Sequence, residues 1–199
     1  QIITKQQRRV NVIYVSSYIP RKCGIATYTK DLTNAINLIN TRSLAEILAI
    51  NHPEENLEYP WEAKFKINHE DASSYLAAAE YVNQSHADIV HLQHEFGLFG
   101  GEWGEYIVPF VEHLTIPLVT TFHTVLTQPN PKQREITEHI ASRSEAIIVM
   151  MQQVAETLVK TYNIPQKKII VIPHGVPDNP YDHTHTHKRK RKLSDKILL

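Results

Sequence analysis

Runs of apolar residues alternate with helix-spaced apolar residues along almost the whole chain. The first apolar run, 10–16, predicts a buried strand, and Leu32, Ala35, Ile36 and Ile39 follow it at the spacing of one helix face. Further strands are predicted at 44–50, 63–67, 88–94, 116–123, 145–151 and 168–174. Between them, helices are predicted after Asp71 as N-cap to about residue 85, on a face marked by Trp103, Ile107, Phe110, Val111 and Leu114, after the Asn130-Pro131 pair to about Arg143, and around Val154, Leu158 and Tyr162.

This alternation predicts an α/β fold, a Rossmann-like parallel sheet flanked by helices on both faces. Runs such as 145–151 and 168–172 are almost continuously apolar, which is typical of parallel strands buried on both sides. Ligands of such sheets bind outside the carboxyl ends of the strands. The last residues of each strand and the loop that follows are therefore the places to search for a site.

Composition narrows the class of protein. The chain has 199 residues, 42% of them hydrophobic, and a formal net charge of zero, so nothing in its charge indicates nucleic acid as a partner. No run of 18 apolar residues predicts a membrane-spanning helix, and the first residues lack the apolar segment of a signal peptide. The single Cys23 excludes an internal disulfide, and together these features predict a cytoplasmic protein.

The loop after the first strand contains Cys23, Gly24, Ile25 and Thr27. Glycine lets the backbone approach a ligand closely, and a helix is predicted to begin just after it. Free amides at a helix start favour an anion such as a phosphate, or a polar sugar hydroxyl. The alternative is a plain turn in which Thr27 caps the helix.

The strand at 88–94 is followed by a second candidate loop. His94 and Glu95 leave the strand at its ligand-facing edge, and Gly100-Gly101 precede the next predicted helix. The glycine pair and neighbouring aromatic residues favour a binding loop. The alternative is that His91 and His94 are polar groups of a loop whose hydrogen bonds are satisfied within the protein.

Two further strand ends carry histidine. His123 ends the strand 116–123, and a neutral imidazole there could bond a sugar hydroxyl. His174-Gly175 ends the last strand and allows a sharp turn. The histidines could instead bind a metal, but their spacing matches no helical or Cys/His metal motif, and we predict no metal site.

Four segments, in this order, resemble a known family: SSYIPRKCGIATYTKDL, QHEFGLFGGEWGEY, PLVTTFHTVL and KIIVIPHGVPD. Together they are similar to the N-terminal domain of family-4 glycosyltransferases, the N-terminal half of a GT-B fold, over about residues 10–178. The resemblance implies two Rossmann-like domains, of which this one binds the acceptor and the C-terminal one binds the nucleotide sugar. It also implies transfer with retention of anomeric configuration.

Roles for individual residues follow from the same resemblance. The loop at Cys23-Gly24-Ile25 corresponds to the family's glycine loop near the donor diphosphate and acceptor, and His123 to the histidine that contacts the transferred sugar. His174-Gly175 corresponds to the interdomain cleft, and His94, Glu95 and Gly100-Gly101 to the acceptor pocket. No cofactor is implied besides the nucleotide sugar as co-substrate, and the acceptor could be a saccharide, a lipid or a small molecule.

The end of the chain predicts an incomplete second domain. Residues 1–178 are predicted to form the acceptor-side domain, 179–193 an exposed linker rich in His, Lys and Arg, and 194–199 the first strand of a C-terminal domain that is otherwise absent. The sequence also leaves other functions open. They are a non-catalytic carbohydrate- or nucleotide-binding half-domain, a GT-B epimerase or phosphorylase relative, and a metal-dependent hydrolase built on the histidines.

Overall fold

A computed structural model describes residues 10–176 of the chain. The predicted linker at 179–193 and the predicted strand at 194–199 lie outside the described residues. The described part contains a seven-stranded sheet in which every neighbouring pair of strands is parallel, in the order β3-β2-β1-β4-β5-β6-β7. The strands are β1 (Val12–Ser16), β2 (Glu46–Asn51), β3 (Ala63–Asn68), β4 (Ile89–His94), β5 (Leu118–Phe122), β6 (Ser144–Val149) and β7 (Ile169–Val171).

Within residues 10–176, five α-helices connect these strands, which confirms the predicted α/β class. They are α1 (Gly24–Ile39), α2 (Ala72–Gln84), α3 (Ile107–His113), α4 (Pro131–Arg143) and α5 (Gln152–Tyr162). Short 3-10 helices lie at Pro53–Glu55, Phe96–Leu98, Glu102–Gly104 and Gln166–Lys168.

The two predicted N-caps are confirmed by their hydrogen bonds. The Asp71 carboxylate accepts from the Ser73 amide at 2.9 Å at the start of α2. At the start of α4, Asn130 and Gln133 form a reciprocal capping box, with distances of 2.8 and 2.9 Å. Local side-chain chemistry therefore sets where both helices begin.

Two predicted elements differ from the structure. Trp103 does not lie on a helix face, because it has a positive φ of 57° inside the 3-10 helix Glu102–Gly104, and α3 begins only at Ile107. The last predicted strand, 168–174, is shorter, since β7 ends at Val171 and His174 lies beyond it. In both cases apolar residues extend beyond the limits of the regular element, before α3 and after β7.

Alternation along the strands separates an apolar face from a more polar one. Ile13 and Val15 of β1 join the larger core, in which α2, α3 and α4 contribute Tyr75, Phe110 and Ile140. Tyr14, between them in sequence, points to the opposite face, where Leu32 of α1 packs. Tyr14 is paired in register with His91 of β4, so this α1-covered face also receives His91.

The order of the strands creates a switch point beside β1. From β1 the chain passes outward through β2 and β3, and then returns to place β4 on the other side of β1. The loops after β1 and β4 therefore diverge at the carboxyl edge of the sheet. Crevices of this kind are where open α/β sheets bind ligands.

We expect Gly100→Ala to destabilise the fold by about 1–3 kcal/mol or more, because a Cβ there would lie 1.9 Å from the His69 carbonyl oxygen. Chemical denaturation monitored by circular dichroism measures this free energy of unfolding. Gly97→Ala is the matched control, since a Cβ at Gly97 meets nothing within 4 Å. Equal stability of the two variants would contradict the close packing of Gly100 on His69.

Candidate active site

The loop after β1 leads directly into the first turn of α1. Cys23 is the N-cap, and its sulfur accepts from the Ala26 amide at 3.3 Å and contacts the Ser17 hydroxyl at 3.0 Å. Thr27 is therefore not the cap; it lies inside α1, is exposed, and donates to the Cys23 carbonyl at 3.4 Å. Gly24 is the first helical residue and is exposed, and a Cβ there would meet nothing within 4 Å. The start of α1 is thus open to an incoming group.

His123 follows β5 and is held by two contacts to β4. Its backbone N–H donates to the His94 carbonyl at 3.0 Å, and its Nε2 lies 2.8 Å from Oε1 of the buried Gln93. With that oxygen as acceptor, Nε2 carries the proton and Nδ1 is left as an acceptor. Burial, with a smaller effect of His174, lowers the His123 pKa to about 4, so the ring is neutral at physiological pH.

Tyr28 brings His123 and His174 together. Its ring meets the His123 ring edge-on at a centroid distance of 5.0 Å and the His174 ring at 5.3 Å. Tyr28 lies four residues after Gly24 in α1, so the two share one face of that helix. The predicted residues His123 and His174 therefore pack on one aromatic side chain, which lies on the same helix face as Gly24. Tyr28 is not among the residues predicted from the sequence, although its spacing from Gly24 could have indicated it.

His94 is placed differently from its prediction. The side chain is fully buried, with ring centroids 5.1 Å from Phe96, 5.9 Å from Phe99 and 5.1 Å from Phe122. Neither ring nitrogen has a hydrogen-bond partner among residues 10–176, and burial lowers the His94 pKa to about 3. His94 thus packs as a neutral ring among these aromatic side chains and does not line the cavity beside Glu95.

His91, by contrast, is a buried histidine with a partner. Its Nε2 lies 2.8 Å from the Thr121 hydroxyl, and its ring packs on Tyr14 at 5.1 Å. Burial, with a smaller effect of His123, lowers the His91 pKa to about 4. The alternative of a satisfied polar group thus fits His91, in a strand and not in a loop, but does not fit His94.

Glu95 lines a cavity of about 520 Å³ at the carboxyl edge of the sheet. One carboxylate oxygen accepts from the Phe96 amide at 3.0 Å, and the other accepts a short hydrogen bond from the Thr124 hydroxyl. Gly101 and the half-exposed Trp103 form other parts of the wall. The cavity is lined by His69, Glu95, Phe96, Gly97, Phe99, Gly101, Trp103, Gly104, Thr124, Leu126 and Gln133.

The glycine pair has a structural explanation. The Gly100 amide donates to the Tyr75 hydroxyl at 2.9 Å, and Gly100 is buried against the His69 carbonyl. Gly101 has a positive φ of 80°, a conformation that favours glycine. Gly101 reaches the cavity wall, whereas Gly100 supports it from behind.

A second, larger cavity of about 720 Å³ lies elsewhere, at the amino ends of β1 and β2, where Asn11, Ser43 and Trp61 contribute to its walls. Because ligands of parallel sheets bind at the carboxyl ends of the strands, we place the candidate active site at the smaller cavity and the His123 edge.

Within residues 10–176, no three His, Cys, Asp or Glu side chains are grouped so that they could hold a metal ion. In the same part of the chain, no helix combines the length and the apolar composition needed to cross a bilayer.

The family model of Glycosyltransferase Family 4 matches residues 42–179. The chain therefore belongs to glycosyltransferase family 4. No curated protein matches it at a significant level.

Solved structures agree in fold. A glycosyltransferase from Rickettsia africae superimposes with a TM-score of 0.61 at 16% identity, covering 96% of this chain and 52% of its own. A UGT transferase from Siraitia grosvenorii, solved in complex with UDP, superimposes with a TM-score of 0.50 at 11% identity, covering 91% of this chain and 52% of its own. The chain thus spans about half the length of both proteins.

We expect His94→Leu to be neutral or stabilising at pH 7, because leucine removes two buried nitrogens that lack partners. The substitution should also make the free energy of unfolding fall less steeply as the pH decreases. The pKa of His94 in the folded protein lies below that of an unfolded histidine. Protonation of His94 therefore does not lower the free energy of unfolding above about pH 6.5. Below that pH the free energy falls by at most about 1.4 kcal/mol per pH unit, until the pH reaches the folded pKa.

Denaturation at a series of pH values from 4 to 7.5 measures this slope. The exposed His86 provides the control, and His86→Leu should leave the slope unchanged. A large loss of stability in His94→Leu at pH 7 would show that the imidazole nitrogens make contacts the fold requires.

Proposed function

We propose that this chain forms the acceptor-binding half of a retaining glycosyltransferase, which moves a hexosyl group from a nucleotide sugar to a saccharide, lipid or small-molecule acceptor. Family membership supports transfer chemistry, and the UDP complex of the structural neighbour supports a nucleotide-sugar donor. The partner of this half is a C-terminal domain that binds the donor. The nucleotide sugar is the co-substrate, and no metal or other cofactor takes part.

The neutral His123 is the observation that carries the proposal. Gln93 fixes the ring through Nε2, and Nδ1 has no hydrogen-bond partner among residues 10–176. A neutral nitrogen acceptor at a strand end suits a hydrogen bond from a hydroxyl of the transferred sugar. Because Gln93 and Tyr28 hold the ring in place, little ordering is needed when the sugar binds.

The start of α1 supplies the second element of the proposal. The first turn of a helix leaves backbone N–H groups, here those of Gly24 and Ile25, without an intrahelical acceptor. These amides and the positive end of the helix dipole suit the negative charge that develops on a departing diphosphate. Catalysis then comes from positioning by His123 and from charge stabilisation at α1.

Calorimetric titration with GDP-mannose and UDP-glucose tests the division of labour. We expect donor binding and sugar transfer by a protein that joins this domain to the proposed donor-binding domain, and neither by the 199-residue chain alone. Retention is read from the anomeric configuration of the product by NMR. Tight donor binding by the short chain would contradict the assignment of this half to the acceptor.

We expect His123→Ala, in the two-domain protein, to lower kcat about 100-fold or more, because the hydrogen bond to the transferred sugar is lost. The matched control is His91→Ala, which also removes a buried neutral imidazole with one hydrogen bond on the same sheet face. Steady-state kinetics and denaturation of both variants separate activity from stability. Equal losses of activity in the two variants would make His123 a structural residue.

We expect Gly24→Val to weaken donor or acceptor binding at least tenfold while leaving the fold intact. The new side chain points into open space in the ligand-free protein, so it obstructs only a group that approaches α1. Ala72→Val, at the exposed first residue of α2, controls for valine in a first helical turn. Calorimetry gives the affinities, and unchanged binding in Gly24→Val would remove α1 from the site.

A further inference from the structure

Three basic or titratable side chains meet at the carboxyl ends of β1, β2 and β3. Arg21 lies in the loop after β1, His52 directly follows β2, and His69 directly follows β3. The preceding residues Asn51 and Asn68 are partners in the β2–β3 register, so the two histidines occupy neighbouring positions. Their rings stack at a centroid distance of 4.0 Å and an interplanar angle of 23°.

Each of these side chains has a buried nitrogen without a hydrogen-bond partner among residues 10–176: Arg21 Nη1, His52 Nε2 and His69 Nδ1. An unsatisfied buried polar group costs about 1–3 kcal/mol, and a charged one costs more. Such groups are rare in folded proteins, and three of them on adjacent loops need an explanation. Binding of a ligand that accepts hydrogen bonds would satisfy all three.

The carboxylates around the cluster leave these nitrogens unpaired. Glu55 lies 3.4 Å from Nε of Arg21, on a different nitrogen from the unpartnered one. Glu54 lies 3.4 Å from Nδ1 of His52, again the opposite side of the ring. Glu70 is exposed beside His69. Each carboxylate therefore leaves the inner nitrogen free for an external acceptor.

The cluster adjoins the cavity of the candidate active site, because His69 also lines its wall together with Glu95, Gly101 and Trp103. The backbone of His69 is fixed, since its N–H donates to the Asn51 carbonyl at 2.9 Å and its carbonyl accepts from the Tyr75 hydroxyl at 3.3 Å. A ligand in the cavity is thus adjacent to His69, whose backbone is fixed and whose side chain lies beside His52 and Arg21.

We propose that Arg21, His52 and His69 bind a compact oxyanion, a phosphate or a carboxylate, carried by the acceptor. Guanidinium groups favour oxyanions over other acceptors, and they exclude a metal ion from the same position. This inference rests on the proposed function, since it names the class of acceptor for the same site. An acceptor with an anionic group and a free hydroxyl would place the anion at this cluster and the hydroxyl toward the transferred sugar that His123 contacts.

Proton uptake is expected to accompany binding. His52 directs Nδ1 toward Glu54, and its unpartnered Nε2 lies on the other side of the ring. In the free protein, burial and then the nearby His52 and Arg21 lower the pKa of His69, against a smaller opposite effect of Glu70 and Glu54. An added anion counters the positive charge of Arg21 and favours protonation of His69. Affinity should therefore rise as the pH falls from 8 to 6.

The first test is a titration of the 199-residue protein with inorganic phosphate, and separately with acetate, at constant ionic strength with chloride as reference. Imidazole resonances in ¹H–¹⁵N NMR spectra report on each histidine. We expect His52 and His69 to shift with a saturable dependence on at least one anion, and the anion that binds identifies phosphate or carboxylate. Shifts confined to other histidines, or none at all, would overturn the proposal.

Variants assign the binding to the cluster. Arg21→Gln should weaken phosphate or acetate binding at least tenfold, and Arg21→Lys should keep part of it. Arg42 lies at the amino ends of the strands, and Arg42→Gln should change the affinity for these anions less than twofold. Because Arg21→Gln also loses its Glu55 contact, a denaturation curve for each variant confirms that it is folded. Equal affinity in Arg21→Gln and Arg42→Gln would overturn the proposal.

A transfer assay separates this inference from the proposed function. In the two-domain protein, Arg21→Gln should raise KM for phosphorylated or carboxylated acceptors and leave KM for the nucleotide sugar unchanged. Sugar transfer with an unchanged acceptor KM would overturn the anion site while the glycosyltransferase function stands. Anion binding at His52 and His69 without any sugar transfer would leave the site standing and remove the proposed function.

Discussion

The parallel pairing of β1 with β4 is the constraint on which the candidate site depends. It makes the chain change direction in the middle of the sheet, so the loops after β1 and β4 diverge at the carboxyl edge, where open α/β sheets bind ligands. The same register sets Tyr14 against His91 and, two residues further along the strand, directs Gln93 to the face covered by α1. Gln93 then fixes His123, so the position of the site follows from the register of the central strands.

Much of this architecture could be predicted from the sequence, for local reasons. Buried parallel strands must be continuously apolar, and Asp71, Asn130 and Gln133 satisfy helix ends with their own side chains, so short windows of sequence contain the information. Trp103 misled the helix prediction because an apolar residue at helical spacing can equally sit in a tight turn beside glycine.

The site was less predictable, because its properties depend on contacts between distant segments. His91 and His94 are both strand histidines, yet only His91 meets a hydroxyl across the sheet, while His94 meets three phenylalanines. The stacked His52 and His69 had a visible signal, since Ile-Asn-His ends both β2 and β3. That signal has meaning only once the β2–β3 register is known. Tyr28 likewise acquires a role only through His123 and His174.

The carboxyl edge divides into parts with different electrostatic character. The β1–β3 side holds Arg21, His52 and His69, each with a buried nitrogen that lacks a hydrogen-bond partner among residues 10–176. At His123 burial keeps the ring neutral, which suits hydroxyl recognition. The cluster has a fixed guanidinium charge, which suits an anion. An acceptor held at the cluster by its charge would present its hydroxyl to the sugar bound at His123, so the reactive hydroxyl would be selected by geometry.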